Sequence, residues 1–416
     1  MITTKPATQL PPQSPPTLRS DARVIALVGL AHGISHFYHL ILAALFVWLK
    51  PAFGLSYAEL GLLMTVFFII SGVGQALAGF VVDRFGARAV LFAGVFLLGV
   101  SALALSTAHS YAALMLGAML AGMGNSVFHP ADYTILNQRV SPARVAYGFS
   151  VHGISGNIGW ALSPLFMTYV ATHYDWRIAL QCAAVLPFAV LLILFLNRHA
   201  ICPEPVKQAA PGQPAGGEGT LDFLRLPAVW MCFAFFFITA IALGGIQSFA
   251  SVALVKLYDM SLALATSSYT AYMLASAVGM LAGGVVGARS AHPDRNVAIA
   301  FSAAALLAVL LAMAVVPAWG AVVLMGAIGL TSGVAGPSRD LMIRAAAPKN
   351  ATGRVYGVVY SGLDSGLAVG PVFFGALMDG NHPALLFVFI GLFQALAIAT
   401  AVGVGGKTRA AALQKA

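Results

Sequence analysis

The feature that most constrains this chain is a long series of apolar runs, each about as long as a membrane span. A helix needs roughly 20 predominantly apolar residues to cross the hydrocarbon core of a bilayer. Runs of about that length, rich in Ala, Leu, Val, Gly and Phe, follow one another along the sequence and are separated by short polar loops. The sequence therefore predicts a membrane protein built from α-helices.

The low content of charged residues supports the same fold class. Only 8% of the 416 residues are charged, whereas soluble domains average about 25%. We expect an all-α membrane protein with twelve transmembrane helices, and its lipid environment is the bilayer. The predicted spans are approximately 24–48, 57–82, 88–107, 111–137, 145–171, 177–197, 227–255, 263–287, 295–316, 319–343, 354–378 and 384–404.

A Pro- and Gly-rich stretch, QAAPGQPAGGEG, follows the sixth predicted span and divides the chain into two sets of six helices. The N-terminal segment TTKPATQLPPQSPP is also Pro-rich and lacks the apolar core of a cleaved signal peptide. The predicted regions are a disordered cytoplasmic tail over 1–22, a six-helix bundle over 23–198, a cytoplasmic linker over 199–224, a second six-helix bundle over 225–405 and a cytoplasmic tail over 406–416.

The distribution of Lys and Arg predicts the orientation in the membrane, because these residues concentrate in cytoplasmic loops. With a cytoplasmic N-terminus, the outer side holds only Lys50, Arg177 and Lys256 of the 22 basic residues. An even number of spans then places the C-terminus inside as well. The formal charge of +9 is explained by these loops and not by a nucleic-acid partner. We expect a multi-pass protein of the inner (cytoplasmic) membrane with both termini in the cytoplasm.

The two halves also resemble each other in sequence. GMGNSVFHPADYTILNQRV begins at Gly122, GLTSGVAGPSRDLMIRAAA begins at Gly329, and the same offset places Pro130 on Pro337. An offset of about half the chain indicates duplication of a six-helix unit. Two parallel repeats related by an axis along the membrane normal are typical of one large transporter architecture, with its site between the halves.

Polar and ionisable residues inside the spans mark a candidate pathway, since they cost about 2.5–3.5 kcal/mol each on insertion scales. Several share a helix face: the three histidines of the first span lie at i, i+4 and i+7, within about 60° of one another. The candidate substrate and proton pathway consists of His32, His36, His39, His129, Asp132, Tyr133, His152, Asn157, Arg339, Asp340, Tyr360 and Asp364.

Other interpretations of these residues stay open at this point. A single histidine in a helix bundle is commonly a hydrogen-bonded packing residue, which applies to His32 and His152. Arg339 and Asp340 also fit an ion pair at the cytoplasmic end. His32 and His36 have a spacing that suits a metal, but no carboxylate or thiolate on that helix completes a set. We predict no metal and no cofactor.

The loop after the second span, GFVVDRFGARAVL, resembles the loop signature of the major facilitator superfamily. With the repeat, the resemblance covers the whole chain and implies the twelve-helix fold of that superfamily, with two parallel-repeat bundles. In this loop an acidic group can pair with a basic residue at the end of the fourth span and form a latch between the halves. A loop that only determines topology is the alternative. The candidate gate residues are Gly79, Asp83, Arg84, Gly86, Arg88, Arg139 and Arg144.

Within the superfamily, the first half is similar to the fosmidomycin-resistance transporters. The similarity lies in SHFYHLILAALFVWLKPAFGLSYAELGLL, GNSVFHPADY and HGISGNIGWALSPL, whereas the second half departs from their usual sequences. Ala118 stands where the superfamily often has an arginine four residues before Gly-x-Gly. A proton relay would therefore use histidines and aspartates.

These features predict a secondary transporter, and not an enzyme, that acts as a monomer. Its partners are a small anionic or amphipathic organic solute and protons, since histidine changes charge near neutral pH and burial can bring a carboxylate into the same range. Export is the first prediction for direction, and uptake of an organic acid is the alternative. A membrane-embedded enzyme and a transporter-like sensor are remote alternatives.

Overall fold

A computed structural model of the chain describes residues 17–202, 222–290, 292–346 and 352–413, and most of the described residues are α-helical. The first half contains α1 (Leu18–Tyr38), α2 (Phe46–Phe53), α3 (Tyr57–Phe85), α4 (Ala87–Ser106), α5 (Tyr111–Asn125), α6 (Phe128–Arg139), α7 (Val145–His173) and α8 (Trp176–Leu196). The second half contains α9 (Pro227–Tyr258), α10 (Leu262–Arg289), α11 (Pro293–Ala312), α12 (Ala318–Ala346), α13 (Thr352–Asp379) and α14 (Pro383–Leu413).

Local sequence explains where α3 begins and where α2 ends. Ser56 and Glu59 form a capping box, in which the Ser56 hydroxyl accepts from the Glu59 N–H and the Glu59 carboxylate accepts from the Ser56 N–H. This arrangement satisfies backbone donors that have no partner within the helix. Gly54 ends α2 in the left-handed conformation with φ of 64°, which glycine adopts without steric cost.

The predicted fourth span is broken into α5 and α6. Pro130 has no N–H to donate to the carbonyl of Ser126, and its ring clashes with that carbonyl in a continuous helix. The Ser126 hydroxyl donates instead to the carbonyl of Met123 at 2.7 Å, where α5 ends. The break brings a turn to the middle of the span, directly before the residues predicted to line the pathway.

The predicted first span is also broken, and α1 and α2 meet at an angle of 41°. After Tyr38 the backbone bonds shorten to the i→i−3 pattern, as in the bond from the Leu40 N–H to the Phe37 carbonyl at 3.2 Å. A tighter turn of this kind changes the direction of a helix. The bend begins at His39, directly after the end of α1, which carries His32 and His36.

Among the described residues, ten helical segments are long and apolar enough to cross a membrane, and α5 and α6 count as one of them, Tyr111–Arg139. The bent pair α1 and α2 makes eleven. The helix α7 has a comparable length of 29 residues, or about 44 Å at 1.5 Å per residue, although His152 and Asn157 make it less apolar. With α7 as the twelfth span, the predicted all-α membrane fold is confirmed.

The predicted ends of the chain differ from the observed helices. Thr17 caps the first helix, so α1 begins inside the predicted tail 1–22, and the Ala-rich C-terminal segment continues α14 to Leu413, inside the predicted tail 406–416. Residues 1–16, 414–416 and most of the predicted linker 199–224 lie outside the described residues.

The two halves repeat one packing contact at equivalent positions. A Cβ on Gly122 would lie 2.6 Å from the carbonyl oxygen of Phe67, so α5 approaches α3 there with its backbone. Gly329 makes the same close approach to the carbonyl of Tyr272, which brings α12 against α10. Small residues permit such helix contacts in membranes. The duplication predicted from the sequence is therefore visible as duplicated helix packing.

The halves contact each other along two helix pairs, α3 with α13 and α7 with α10. At one end the Asp379 carboxylate accepts hydrogen bonds from the backbone N–H groups of Tyr57 and Ala58 at 2.7 and 2.9 Å. These are the first N–H groups of α3, so a carboxylate from one half caps a helix of the other. We call this end, defined by Asp379, Tyr57 and Ala58, the closed end.

The hydrophobic core joins the two halves at the closed end but not along the whole molecule. One cluster of buried apolar residues contains side chains of both halves, among them Phe46, Phe249 and Phe374. A second cluster, with Phe236 and Phe301, consists only of residues of the second half. The halves thus share a core towards the closed end, and the second half has a core of its own.

Candidate functional site

Five of the predicted histidines meet in the interior of the first half. The ring centroid of His32 lies 4.3 Å from that of His36, 5.2 Å from that of His129 and 3.4 Å from that of His152. The helices α1, α6 and α7 contribute these rings. We call the group the histidine cluster, which consists of His32, His36, His39, His129 and His152.

Close packing of α1 on α7 makes this cluster possible. A Cβ on Gly156 would lie 2.6 Å from Nδ1 of His36 and 3.2 Å from Nε2 of His32, so only glycine leaves room for both rings. One turn further, Gly159 approaches the backbone of Gly33 closely. The glycines of the fifth span therefore hold α7 next to the histidine face of α1.

Asp132 is the carboxylate of the cluster and is fully buried. Its Oδ2 accepts from Nε2 of His152 at 3.1 Å and lies 3.4 Å from Nδ1 of His32. Its other oxygen, Oδ1, has no hydrogen-bond partner among the described residues. One carboxylate is thus shared by two histidines away from solvent, and gain or loss of a proton by these three groups changes the charge of the site.

The histidine His39 has a different environment, because both of its ring nitrogens are hydrogen-bonded. Its Nε2 donates to Oδ1 of Asn125 at 3.1 Å, and its Nδ1 accepts from the indole N–H of Trp160 at 3.1 Å. Asn125 also accepts from the Ser35 hydroxyl and donates to Ser71. Because one ring nitrogen donates and the other accepts, His39 is a neutral ring, and these bonds fix its orientation between Asn125 and Trp160.

The side chain of Gln75 connects the histidine cluster with the second half. Its Oε1 accepts from Nδ1 of His129 at 2.8 Å, and its Nε2 donates to Oδ2 of Asp364 at 3.5 Å. Gln75 lies on α3 and Asp364 on α13, which are in contact across the interface. The predicted carboxylate of the second half is therefore linked to the predicted histidines of the first half.

The remaining predicted pathway residues lie around this group. Tyr133 is 41% exposed and its ring centroid is 5.0 Å from that of His152. Asn157 donates to the sulfur of Met280 on α10 at 3.5 Å, a second contact between the halves. Arg339 lies over the ring of Phe236, 4.7 Å from its centroid. The predicted side chains of Asp340 and Tyr360 lie outside the described residues.

Sequence reasoning missed four polar residues of this site. They are Ser35, Ser71, Gln75 and Trp160. Gln75 had a usable signal, since an amide in the middle of an apolar span is expensive unless it has partners. Ser35 and Ser71 had none, because a hydroxyl in a helix commonly bonds to its own backbone.

In the predicted gate loop, Gly86 connects α3 and α4 with φ of 84°, a conformation that favours glycine. Asp83 is exposed and has no ion pair within the described part of the chain. Arg144 instead donates to Asp21 at 2.7 Å, a partner that sequence reasoning missed. A Cβ at Gly79 would meet no atom within 4 Å.

The other basic residues of the gate loop contact carbonyl groups or rings. Arg139 donates to the carbonyl of Ala200 at 3.1 Å and Arg88 to that of Arg198 at 3.2 Å. The guanidinium of Arg84 lies 5.5 Å from the ring centroid of Phe85. Arg139 and Arg88 therefore fix the position of the segment that follows α8.

Two sets of side chains bring possible metal-ligand atoms together. His32, His36 and His129 form one set, and His32, Asp132 and His152 form the other, with one ligand atom of each residue within 4.8 Å of the others. A separate cavity of about 1010 Å³ lies between α1, α7 and α10 and is lined mostly by apolar side chains such as Leu30, Ile34 and Phe166.

Comparison with known families decides the class of this protein. Residues 25–371 match the model of the Major Facilitator Superfamily, a stretch that includes all five clustered histidines and Asp364. The chain belongs to the major facilitator superfamily. The members of this superfamily are multi-pass membrane transporters of small molecules and are not enzymes, so the predicted family and class are confirmed.

Two relatives illustrate the range of this superfamily. The chain is 23% identical over 274 residues to the fosmidomycin resistance protein of Escherichia coli, which covers 65% of this chain and 66% of that protein, just under two thirds. It is 26% identical over 338 residues to the "Probable nitrate/nitrite transporter NarK2" of Mycobacterium tuberculosis, covering 78% and 81%.

A solved structure supports the fold. A bacterial homologue of the human lysosomal transporter Spinster, in an inward-facing and unoccupied conformation, superposes with a TM-score of 0.72 at 14% identity and covers 94% of this chain and 97% of its own. At this identity the likeness concerns the major facilitator fold alone.

Proposed function

We propose that this superfamily member is a secondary active transporter that exports a small anionic or amphipathic organic solute by alternating access, coupled to protons. The observation that carries the proposal is the connection from the buried Asp132 and the histidine cluster, through the half-buried Gln75, to Asp364. Ionisable groups cost about 2.5–3.5 kcal/mol inside a membrane and mark pathways by default. This group also crosses the boundary between the two halves that alternating access moves.

The closed end supports an inward-open state. If both termini are cytoplasmic, as the Lys and Arg distribution predicts, the start of α3 and the end of α13 face the outside. The hydrogen bonds from Tyr57 and Ala58 to Asp379 then close the outer side. Rocking of the halves to the outward-open state breaks these bonds and opens the interface from that side.

The proton step follows from the contacts of Asp132 and Gln75. Histidine changes its charge near neutral pH, so proton gain or loss at Asp132, His32 or His152 changes the charge of a buried group. Separation of α3 from α13 removes the partner of Asp364 and frees Gln75. Protonation and rocking are coupled because the same side chains take part in both.

The class of solute rests on the pathway residues and on the relatives. Arg339 offers a guanidinium that binds carboxylate or phosphonate groups in a bidentate manner. One of the two relatives is named for resistance to fosmidomycin and the other for transport of nitrate or nitrite. Resistance favours export, and proton-coupled uptake of an organic acid is the alternative.

The first experiment is a thermal-shift screen of the purified protein against organic acids, phosphonates and amphipathic drugs, because a ligand of the folded state raises its melting temperature. A pH jump across vesicles then measures flux of the solute found. His36→Ala and Asp132→Asn should abolish pH-driven transport and leave the protein folded, whereas His109→Ala, which changes an exposed histidine, should not. Unaltered flux in both cluster variants contradicts the proposal.

Direction and topology need separate measurements. Expression in a sensitive strain gives resistance if the transporter exports the solute, and accumulation of labelled solute if it takes it up. We further propose a monomer in the inner membrane, with both termini and the linker between the bundles in the cytoplasm. Reporter fusions at the termini and at residue 212 test this topology, and a signal from the outer side contradicts it.

We propose that the gate loop rearranges within the first half when the cytoplasmic side closes. Asp83 is exposed in the present conformation, so it is available to pair with Arg139 or Arg144 when the cytoplasmic side closes. Arg144 would then exchange Asp21 for Asp83. The loop at the equivalent place of the second half has Ala288 instead of an aspartate, so this pairing belongs to the first half.

A further inference from the structure

Three rings of the histidine cluster are arranged around a common point. The centroids of His32, His36 and His129 are 4.3, 5.2 and 6.4 Å apart, with interplanar angles of 52°, 72° and 63°. Three imidazoles bound to one metal ion at about 2.0–2.1 Å have centroids about 5 Å apart and tilted planes. His152, in contrast, stacks on His32 at 3.4 Å with an angle of 22°, which suits packing.

The neighbours of these rings leave ligand atoms free. His129 donates from Nδ1 to Gln75 at 2.8 Å, so its Nε2 carries the lone pair. Nδ1 of His32 makes no hydrogen bond among the described residues, but it lies 3.4 Å from the Asp132 carboxylate, so a small movement would let it donate there and leave Nε2 free. Metal-bound histidines characteristically use their second nitrogen for a carboxylate or carbonyl oxygen. One outer partner, Gln75, is therefore bonded before any metal binds, and a second, Asp132, lies close by.

His36 supplies the third position. Its Nδ1 is buried and has no hydrogen-bond partner among the described residues. A Cβ on Gly156 would lie 2.6 Å from this atom and 3.2 Å from Nε2 of His32, so two possible ligand atoms lie side by side against the backbone of Gly156. A buried nitrogen without a partner is costly, and a metal ion shared with His32 would satisfy it.

The remaining histidines of the cluster are occupied. His39 uses both ring nitrogens in bonds to Asn125 and Trp160, and His152 donates from Nε2 to Asp132. The sequence interpretation excluded a metal because the first span alone offers only the i, i+4 pair His32 and His36. The fold supplies the missing ligand from α6.

We propose that His32, His36 and His129 form a binding site for a divalent first-row transition metal ion. Imidazole ligands suit zinc, nickel, cobalt and copper and do not suit magnesium or calcium, which prefer oxygen. Three protein ligands leave a fourth position for water or for an anionic group of a solute. The inference concerns binding and goes beyond the proposed transport function.

The test is a titration of the purified, tag-free full-length protein in detergent with Co²⁺, whose visible absorption reports tetrahedral nitrogen coordination. The wild type should bind one ion. His32→Ala and His129→Ala should each lose the absorption, and Gln75→Ala should weaken binding about 10–100-fold, as loss of an outer partner does. His109→Ala changes an exposed histidine and should bind as the wild type does.

A second variant guards against misfolding of the histidine mutants. Gly156→Ala keeps all histidines but places a methyl group beside Nδ1 of His36, so it should also lose the Co²⁺ absorption while its elution in size-exclusion chromatography stays unchanged. Absence of the absorption in the wild type, or its persistence in His32→Ala and His129→Ala, overturns the metal site. The transport proposal is tested by pH-driven flux and not by Co²⁺ absorption, so failure of this inference and failure of the transport proposal are distinguishable.

Discussion

The two halves of this protein share their helix packing but differ in chemistry. Gly122 in the first half and Gly329 in the second make the same close backbone contact. The first half, however, gathers five histidines in one cluster with Asp132, three of them buried and two half-buried, whereas His152 corresponds to Ser361 and Asp83 to Ala288 in the second. The described interior of the second half holds mostly neutral groups such as Gln247 and Tyr269, and its buried Asp294 lies in the first turn of α11.

This difference separates what the duplicated fold requires from what function adds. Small residues at helix crossings recur in both halves, because each bundle needs close backbone contact. Ionisable groups are concentrated in one half, and the other contributes Asp364 at the interface. A transporter whose halves rock needs ionisable groups in only one half, provided that the other half moves when the charge of those groups changes.

The largest expected difference concerns two aspartates, the buried Asp132 and the half-buried Asp364. Asp132→Ala removes the carboxylate shared by His32 and His152, and breaking a buried pair costs about 3–5 kcal/mol. Asp364→Ala removes one long hydrogen bond to Gln75, worth about 0.5–1.5 kcal/mol. Thermal unfolding in detergent should therefore show a much larger loss for Asp132→Ala. Equal losses contradict the asymmetry between the halves.

A smaller effect is expected at the closed end. Asp379→Ala removes the carboxylate that caps the N-terminus of α3, an interaction worth up to about 2 kcal/mol in a partly buried site, from one conformation only, so the population shifts towards the outward-open state. A cysteine at Ala368, which is 6% exposed and lies opposite Thr65, should then be alkylated at least about tenfold faster, with the native cysteines replaced.

The matched control for this measurement is Asp259→Asn. Asp259 is exposed near the same end and adopts a left-handed conformation with φ of 49°, which asparagine tolerates. It should leave the alkylation rate unchanged. If Asp379→Ala also leaves the rate unchanged, the carboxylate does not hold the halves together.

The smallest effect distinguishes the two loops of the repeat. A Cβ at Gly79 or Gly284 meets no atom within 4 Å in this conformation, and Gly→Ala in a helix stabilises by about 0.5–1 kcal/mol. Both variants should melt slightly higher. Gly79→Ala should also slow transport, because the proposed gating brings the end of α3 that carries Gly79 against its neighbours when the cytoplasmic side closes. Gly284→Ala should not slow transport. Equal transport rates contradict a gating role of the first loop.

Much of the fold was predictable because apolar span length and turn residues are local signals. The break before Pro130 was not predicted, because the apolar run over 111–137 predicts one continuous span, although proline is a local signal that removes a bond four residues earlier. The members of the histidine cluster were also predictable, as polar residues in spans are rare. Their hydrogen-bond partners were not predictable, because the contact between Asp132 and His152 depends on how α6 and α7 are oriented about their own axes.

The contacts between the halves were the least predictable. Gln75 with Asp364 and Tyr57 with Asp379 join residues about 300 positions apart, 289 and 322 in sequence separation. No periodicity relates such positions, and their meeting depends on the conformation of the transporter.

The central claim is that protonation of the buried group in the first half drives the movement of solute. Its most direct test compares pH-driven flux with solute exchange at equal pH, in the same vesicles, for the wild type, Asp132→Asn and His109→Ala. Asp132→Asn should lose pH-driven flux and retain exchange, because binding and rocking remain possible without the proton step, while His109→Ala keeps both. Retention of full pH-driven flux by Asp132→Asn contradicts the account.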